Sequence, residues 1–302
     1  MNQPARAGAA GTGGSNLSVL DNPHHQQNKD AGTISAEDML DGHRVSVLIP
    51  CLNEAESVPF VLRTMPSWVH EVVIIDDHCT DDTVAVARAV MPSVTIAANR
   101  RAPGKGNALK AGMEAASGDI LVQVDADGSE NPAEINAFVG ALLAGADYAK
   151  GSRFIQGGGT SDMPALRRWG NAALTLLARV LFPGTRFTDL CYGYNAYWAR
   201  LAPMLLDAEG FEIETVMNIR AVLAGLRIAE VPSFEAERIH GDGKLATFPD
   251  GWRVLRAIFQ QKRSRRPPVA HPVVRRSLSP TDLARAPQSR HREPATRGVK
   301  LR

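Results

Sequence analysis

Cysteine is scarce in this 302-residue chain. There are three, Cys51, Cys79 and Cys191, with no repeating spacing. That speaks against a disulfide framework or a zinc site and fits a reducing compartment. No apolar run approaches the ~18 residues of a membrane span. The first 40 residues lack the basic-then-apolar order of a secretory signal. The turn after the first strand pattern holds no Gly-x-Gly-x-x-Gly, and Gly104-Lys105-Gly106 lacks the spacing of a P-loop. Neither a dinucleotide binder nor a P-loop NTPase is indicated. The net charge is only +2, but it is unevenly spread. From Lys262 to Arg302 there are 12 Lys/Arg and 2 Asp/Glu, a net of +10, which leaves the first 261 residues at −8. That basic stretch has no aromatic residue on which bases could stack, so nucleic acid is not an expected partner.

Between the polar, Gly-rich start and the basic end lies a chain of alternating patterns. Val45–Ile49, Val72–Ile75, Val94–Ala97, Ile120–Val124 and Asp147–Lys150 read as strands. Helical stretches of about ten residues separate them. Asp81 or Asp82 offers a helix cap, Pro132 opens another helix, and a helix is expected over 108–116. This alternation predicts an α/β fold, a mainly parallel central sheet with helices on both faces.

The strand ends carry the chemistry. The first is followed by Asn53 and Glu54, the second by Asp76 and Asp77, and the fourth by Asp125 and Asp127. Open α/β sheets bind ligands at the carboxyl ends of their strands. Two carboxylates one residue apart repel unless a cation lies between them. Mg²⁺ or Mn²⁺ takes oxygen ligands and shares its shell with phosphate. A metal-bound nucleotide-like ligand is therefore expected at this edge. Lys105 between two glycines can approach a phosphate, with a surface loop as the plain alternative.

Farther on, Gly157, Gly158 and Gly159 mark a loop. Leu166, Trp169, Ala173, Leu176 and Val180 then recur at helical spacing, with Arg168, Asn171, Thr175 and Arg179 on the opposite side. The first expectation is an amphipathic helix whose apolar face packs on the core. The second is a helix lying on a membrane surface. Later come Thr188-Asp189, Phe211-Glu-Ile-Glu214, a strand over 228–231, a polar run with Arg238 and Lys244, and a last helix over 248–261.

In this order the pieces resemble the family 2 inverting glycosyltransferases of the GT-A (nucleotide-diphospho-sugar transferase) fold, and among them the polyprenol (dolichyl) phosphate sugar synthases. The resemblance spans about residues 44–250. It rests on Pro50–Glu54, Asp76-Asp77, Gly104–Asn107, Asp125-Ala126-Asp127, Gly151-Ser152-Arg153 with Arg168 and Asn171, Thr188-Asp189 with Gly193, and Phe211–Glu214. Two departures stand out. Asn195 follows Tyr194 where the family has Arg, and Gly128-Ser129 follows Asp127 where the lipid-phosphate branch has Leu-Gln.

The resemblance implies metal-dependent, inverting transfer of a hexose from a nucleoside diphosphate sugar, of the GDP-mannose or UDP-glucose type, to a polyprenyl phosphate. It implies donor nucleotide contacts from Pro50, Asn53, Glu54, Asp76, Asp77, Lys105 and Asp125. Asp125 and Asp127 would hold Mg²⁺ or Mn²⁺. Arg153, Arg168, Arg238 and Lys244 would bind the acceptor phosphate. If the acceptor is instead a saccharide or other hydroxyl, a carboxylate must take its proton, with Asp189 the first candidate and Glu214 the second. An alternative of another class is a non-catalytic nucleotide-sugar-binding or anionic-surface-binding protein. The expected organisation is a disordered segment over 1–42, a glycosyltransferase domain over 43–262 and a basic disordered tail over 263–302. The tail suits an anionic membrane surface, so the expected location is the cytoplasm, peripheral at the inner face of the membrane.

Overall fold

The computed structural model describes residues 40–161, 163–241 and 247–264. Readings that concern residues 1–39, Lys244 or the tail after Ser264 lie outside them.

Seven strands form the main sheet: β1 (Val45–Cys51), β2 (Glu71–Asp76), β3 (Thr95–Ala98), β4 (Ile120–Gln123), β5 (Tyr148–Ser152), β7 (Asn195–Trp198) and β8 (Ile228–Pro232). A separate pair joins β6 (Gly159–Thr160) to β9 (Phe234–Glu235). The order across the main sheet is β3-β2-β1-β4-β7-β5-β8. β7 runs antiparallel to β4 and β5, and every other pair is parallel. The chain order reverses between β1 and β4, so a crevice opens past their carboxyl ends, where ligands of such sheets bind. Pro50 and Asp125 stand on its two sides.

Alternation along the strands assigns the faces. Leu48, Ile75, Leu121, Tyr148 and Tyr197 point to one face. There they pack with Ala108 and Leu109 of α3 (Lys105–Ala115), Leu205 of α6 (Ala202–Leu205) and Met217 of α7 (Ile213–Leu223). On the other face Phe138 of α4 (Ile135–Leu143) stacks on Tyr194, with ring centroids 4.3 Å apart. The short helices α1 (Val58–Arg63) and α2 (Thr83–Val90) follow the first two strands. Helix α5 (Ala165–Leu181) meets α8 (Thr247–Ser264) through a smaller apolar cluster of Ala178, Phe182, Phe187, Ile219, Val254 and Ile258.

The structure corrects two local expectations and decides between two caps. Strand β7 has no counterpart in the hydrophobic pattern, because it is four residues long and begins with a buried Asn195. Helix α3 starts at Lys105, three residues before the expected Ala108. Its first turn packs against the backbone of residues 208–210, and Asn107 N donates to the Glu209 carbonyl at 3.0 Å. This close approach requires glycine at 104 and 106. A Cβ on Gly104 would lie 2.5 Å from the Glu209 oxygen, and one on Gly106 would overlap the Ala208 oxygen. Of the two caps offered, Asp82 precedes α2, and Asp81 supplies the carboxylate that bonds its first turn, accepting from Thr83 N at 3.1 Å.

Gly106→Ala is expected to destabilise the fold by about 1–3 kcal/mol, the usual cost of overpacking. Urea denaturation followed by circular dichroism measures this. A wild-type midpoint would mean that the loop over 208–210 yields freely.

Candidate active site

A cavity of about 480 Å³ opens past the ends of β1 and β4. One end is lined by Pro50, Glu54, Asp77, Gly104 and Lys105. Asp125, Asp127 and Glu214 line its middle, and α5 and α8 wall the far end with Leu166, Arg167, Arg253 and Val254.

Lys105 is the electrostatic centre. Its Nζ is 2.6 Å from Asp125 Oδ1 and 2.7 Å from Glu214 Oε1, and its side chain is almost fully buried. Burial alone would lower the pKa of this ammonium, but the Asp125 and Glu214 carboxylates hold it above its usual value. Gly193 leaves room for the cluster, since a Cβ there would meet Lys105 Nζ at 2.7 Å. Burial raises the pKa of Glu214 against the pull of Lys105.

Asp127 is held separately. Its Oδ2 is 2.8 Å from Arg238 Nη1, and its Oδ1 accepts from Ser129 N and Oγ at 3.0 and 2.7 Å. The Gly128-Ser129 departure thus makes a turn that clamps the second aspartate. The backbone N of Asp125 donates to Glu130 Oε2 at 2.8 Å. Burial raises the pKa of Glu130, and the nearby Asp125 charge raises it further. Glu130 was not singled out from the sequence, although it follows Asp127 by three residues in the same acidic turn.

The two acids after β2 divide the work. Asp77 lines the cavity and accepts from Gly104 N at 3.0 Å and Asn99 Nδ2 at 2.7 Å, so it ties that loop to the start of α3. Asp76 Oδ1 instead accepts from Cys79 N at 2.8 Å. Asn53, at φ 55°, accepts from Thr80 N at 2.7 Å. Neither Asp76 nor Asn53 lines the cavity. They brace the loops after β1 and β2, where direct ligand contacts were expected.

Asp189 also departs from expectation. It is 0% exposed and accepts from Arg153 Nε, Nη2 and backbone N and from Asn171 Nδ2, at 2.7, 3.0, 3.3 and 3.0 Å. Burial opposes its charge, yet the Arg153 guanidinium holds its pKa below the usual carboxylate value. A carboxylate so placed and so bonded is poorly suited to take a proton from an acceptor. Arg153 lines the cavity, but its guanidinium also pairs with Glu235 at 3.0 Å and lies 4.6 Å from the centre of the Tyr192 ring. Beneath them Lys150 is fully buried, donates to the Gly151 carbonyl at 3.1 Å and has its pKa lowered by burial. Arg168 lies over Phe154 outside the cavity, whereas its neighbour Arg167 lines it. Asn195 is buried and donates to the Gly193 carbonyl at 2.9 Å, supporting the backbone beside Lys105.

Among the described residues no three His, Cys, Asp or Glu side chains gather as a metal cage. The chain offers the paired carboxylates Asp125 and Asp127. That donor set fits an ion which completes its shell with phosphate and water.

Comparisons with known proteins define the class of chain that carries this cavity. Residues 46–201 match the Glycosyl transferase family 2 model. The chain is 34% identical over 215 residues to an undecaprenyl-phosphate mannosyltransferase of Micrococcus luteus, covering 67% of this chain and 88% of that one. It is 29% identical to a polyprenol monophosphomannose synthase of Mycolicibacterium smegmatis, over 72% of this chain and 85% of that one. Among solved structures it is similar to glucosyl-3-phosphoglycerate synthase of Mycobacterium tuberculosis, crystallised with Mn²⁺, UDP-glucose and phosphoglyceric acid. The TM-score is 0.62 at 24% identity, covering 75% of this chain and 82% of that one. The fold is GT-A-like and the protein is a glycosyltransferase. It belongs to glycosyltransferase family 2.

Asp189→Ala leaves Arg153 with a buried, partly unpaired charge and is expected to cost about 3–5 kcal/mol at neutral pH. A group with a lowered folded pKa adds stability above its unfolded value of about 3.9 and loses it as pH falls through the folded value. The gap between wild type and Asp189→Ala should therefore narrow in acid, as read from denaturation curves at several pH values. Glu130 has the opposite sign. Its stabilising contribution is complete below about pH 4.3 and is lost as pH rises through its raised folded value. Glu130→Gln should accordingly gain more melting temperature at pH 8 than at pH 4, measured by calorimetry.

Proposed function

We propose that the protein transfers a hexosyl group from a nucleoside diphosphate sugar to a polyprenyl phosphate. The observation that carries this reading is that the two carboxylates expected as bases, Asp189 and Glu214, are each committed to a cation, as are Glu235 and Asp250. Asp189 is sealed behind Arg153, Glu214 is ion-paired to Lys105, Glu235 is paired to Arg153, and Asp250 lies 3.2 Å from Arg253. Acids committed to cations are poorly suited to deprotonate a hydroxyl. A phosphate monoester arrives already ionised, so transfer to it needs positioning more than a base. The relatives named for undecaprenyl-phosphate and polyprenol acceptors support the same choice.

In this reading Asp77 and Glu54 hold the nucleoside beside Pro50, while Asp76 and Asn53 keep the two loops in place. Asp125 and Asp127 hold Mg²⁺ or Mn²⁺, and the Mn²⁺ in the M. tuberculosis structural neighbour supports a divalent ion. When bound, the ion neutralises charge on the departing diphosphate. Lys105 and Arg238, each already beside one of these aspartates, supply further positive charge to that leaving group. An acceptor phosphate oxygen attacks the anomeric carbon from the face opposite the diphosphate. The new C–O bond forms as the old one breaks, the nucleoside diphosphate departs with the bonding pair, and the anomeric centre inverts. Arg167 and Arg253 line the far end of the cavity and hold the acceptor phosphate there. They take the place of Arg168 and of Arg238, which stands beside Asp127 instead, while Arg153 backs the site through Asp189 and Glu235.

The test is transfer from a panel of radiolabelled GDP- and UDP-sugars to polyprenyl phosphate, with Mg²⁺ or Mn²⁺. Label should enter the organic phase, be lost with chelator, and fall about 100-fold or more in Asp127→Ala while the fold is retained. Near-wild-type turnover in Asp127→Ala contradicts the metal assignment. Donor hydrolysis without lipid labelling moves the acceptor to a hydroxyl.

A further inference from the structure

Transfer as proposed above makes no use of Lys150. This side chain lies in the middle of β5 and is 0% exposed. Among the described residues its one hydrogen bond goes to the carbonyl of its own neighbour, Gly151, at 3.1 Å, and it forms no ion pair. A buried ammonium without a partner is costly, so its presence needs a reason.

The register of the sheet shows what stands around it. Lys150 lies opposite Asn195 of β7 on one side and Glu230 of β8 on the other, and Asn195 lies opposite Gln123 of β4. Side chains of register partners share a face, so these four polar residues form one row across the sheet. By alternation it is the face of Tyr148 and Tyr197, which α7 covers. Asn195 Oδ1 and Gln123 Oε1 are buried without a hydrogen-bond partner. Acceptors lacking a donor thus share the row with an amine that has N–H groups to spare.

The charges of the cavity wall supply the reason. Arg153 lines the cavity and faces two acids, Asp189 at 2.7 Å and Glu235 at 3.0 Å. A third acid, Glu230, accepts from Thr188 N at 2.6 Å, one residue before Asp189. Arg153 and these three carboxylates carry a net charge of −2, and Lys150 brings the group to −1. Burial lowers the pKa of the Lys150 amine, while the charges of Asp189 and Glu230 pull it back up. Buried charges are screened little by salt, so an anion in the cavity feels this balance.

We propose that Lys150 is a positioning residue for an anionic acceptor. From behind the cavity wall its ammonium offsets Asp189 and Glu230, which leaves the Arg153 guanidinium freer to face an anion. The residue touches no substrate and acts through Asp189 and Arg153. This inference rests on the phosphate-bearing acceptor proposed above.

The test is steady-state kinetics of the full chain with a short, water-soluble prenyl phosphate. In Lys150→Met the acceptor KM should rise about tenfold, with the donor KM and kcat within about twofold of wild type. Adding Glu230→Gln removes one of the offset charges and keeps an oxygen to accept from Thr188. The double variant should therefore regain most of the lost acceptor affinity, a rescue that a merely structural role would not give. An acceptor KM unchanged in Lys150→Met overturns the proposal. So does a rise in both KM values with a fall in kcat that Glu230→Gln does not repair. Should Lys150→Met fail to fold, Glu230→Gln alone decides: its acceptor KM should fall below that of wild type, and an unchanged or higher value overturns the proposal. A wild type that labels no prenyl phosphate overturns the acceptor reading and this inference with it, an outcome distinct from labelling that is indifferent to Lys150.

Discussion

The buried ammonium of Lys105 holds the site together. Through it the start of α3, the end of β4 at Asp125 and the first turn of α7 at Glu214 meet at one point. Breaking a buried pair by removing one partner costs several kcal/mol, because the remaining charges lose their compensation. The surrounding sequence answers to this constraint. Gly104 and Gly106 let the first turn of α3 approach residues 208–210, Asp77 ties that turn to β2, and Gly193 leaves space beside the ammonium. A second ion pair, Arg238 with Asp127, holds the other aspartate of the turn. Positive charge is thus in place where a diphosphate would meet the sheet edge, fixed by packing before any ligand arrives.

Much of this was legible in the order of residues along the chain. A strand that ends in carboxylates can be read directly, because apolar runs and acids are local features. So the crevice edge at Glu54, Asp77, Asp125 and Asp127 appears in both the sequence and the structure. The division of labour among those acids was not legible. Asp76 and Asp77 are adjacent, yet one turns back to its own loop and the other faces the cavity. That depends on strand pleat and loop geometry, which composition does not encode. Glu130 and Lys150 escaped for a related reason. Their roles come from burial beside charges distant in sequence. β7 escaped because its pairing with β4 and β5 is long-range and its first residue is polar.

Helix α5 shows a different limit. Periodicity identified its two faces correctly but could not say which one meets the protein. An apolar stripe ordinarily turns inward because burial removes it from water. Here the inward face is mixed: Ala178, Leu174, Leu177 and Leu181 join the apolar cluster, while Asn171 reaches Asp189, which in turn holds Arg153. The inward side thus combines a polar contact to the site with apolar packing, and Leu166, Trp169, Leu176 and Val180 stay exposed. The same network commits Asp189 to Arg153.

That commitment leads to the central claim, that the acceptor is an anion and not a hydroxyl. The most direct measurement offers the enzyme a polyprenyl phosphate and the corresponding polyprenol, matched in chain length, with the same labelled donor and metal. The account predicts label in the phosphate-bearing product only. Comparable labelling of the free alcohol would contradict it and would require a base other than Asp189 and Glu214, which are committed to Arg153 and Lys105.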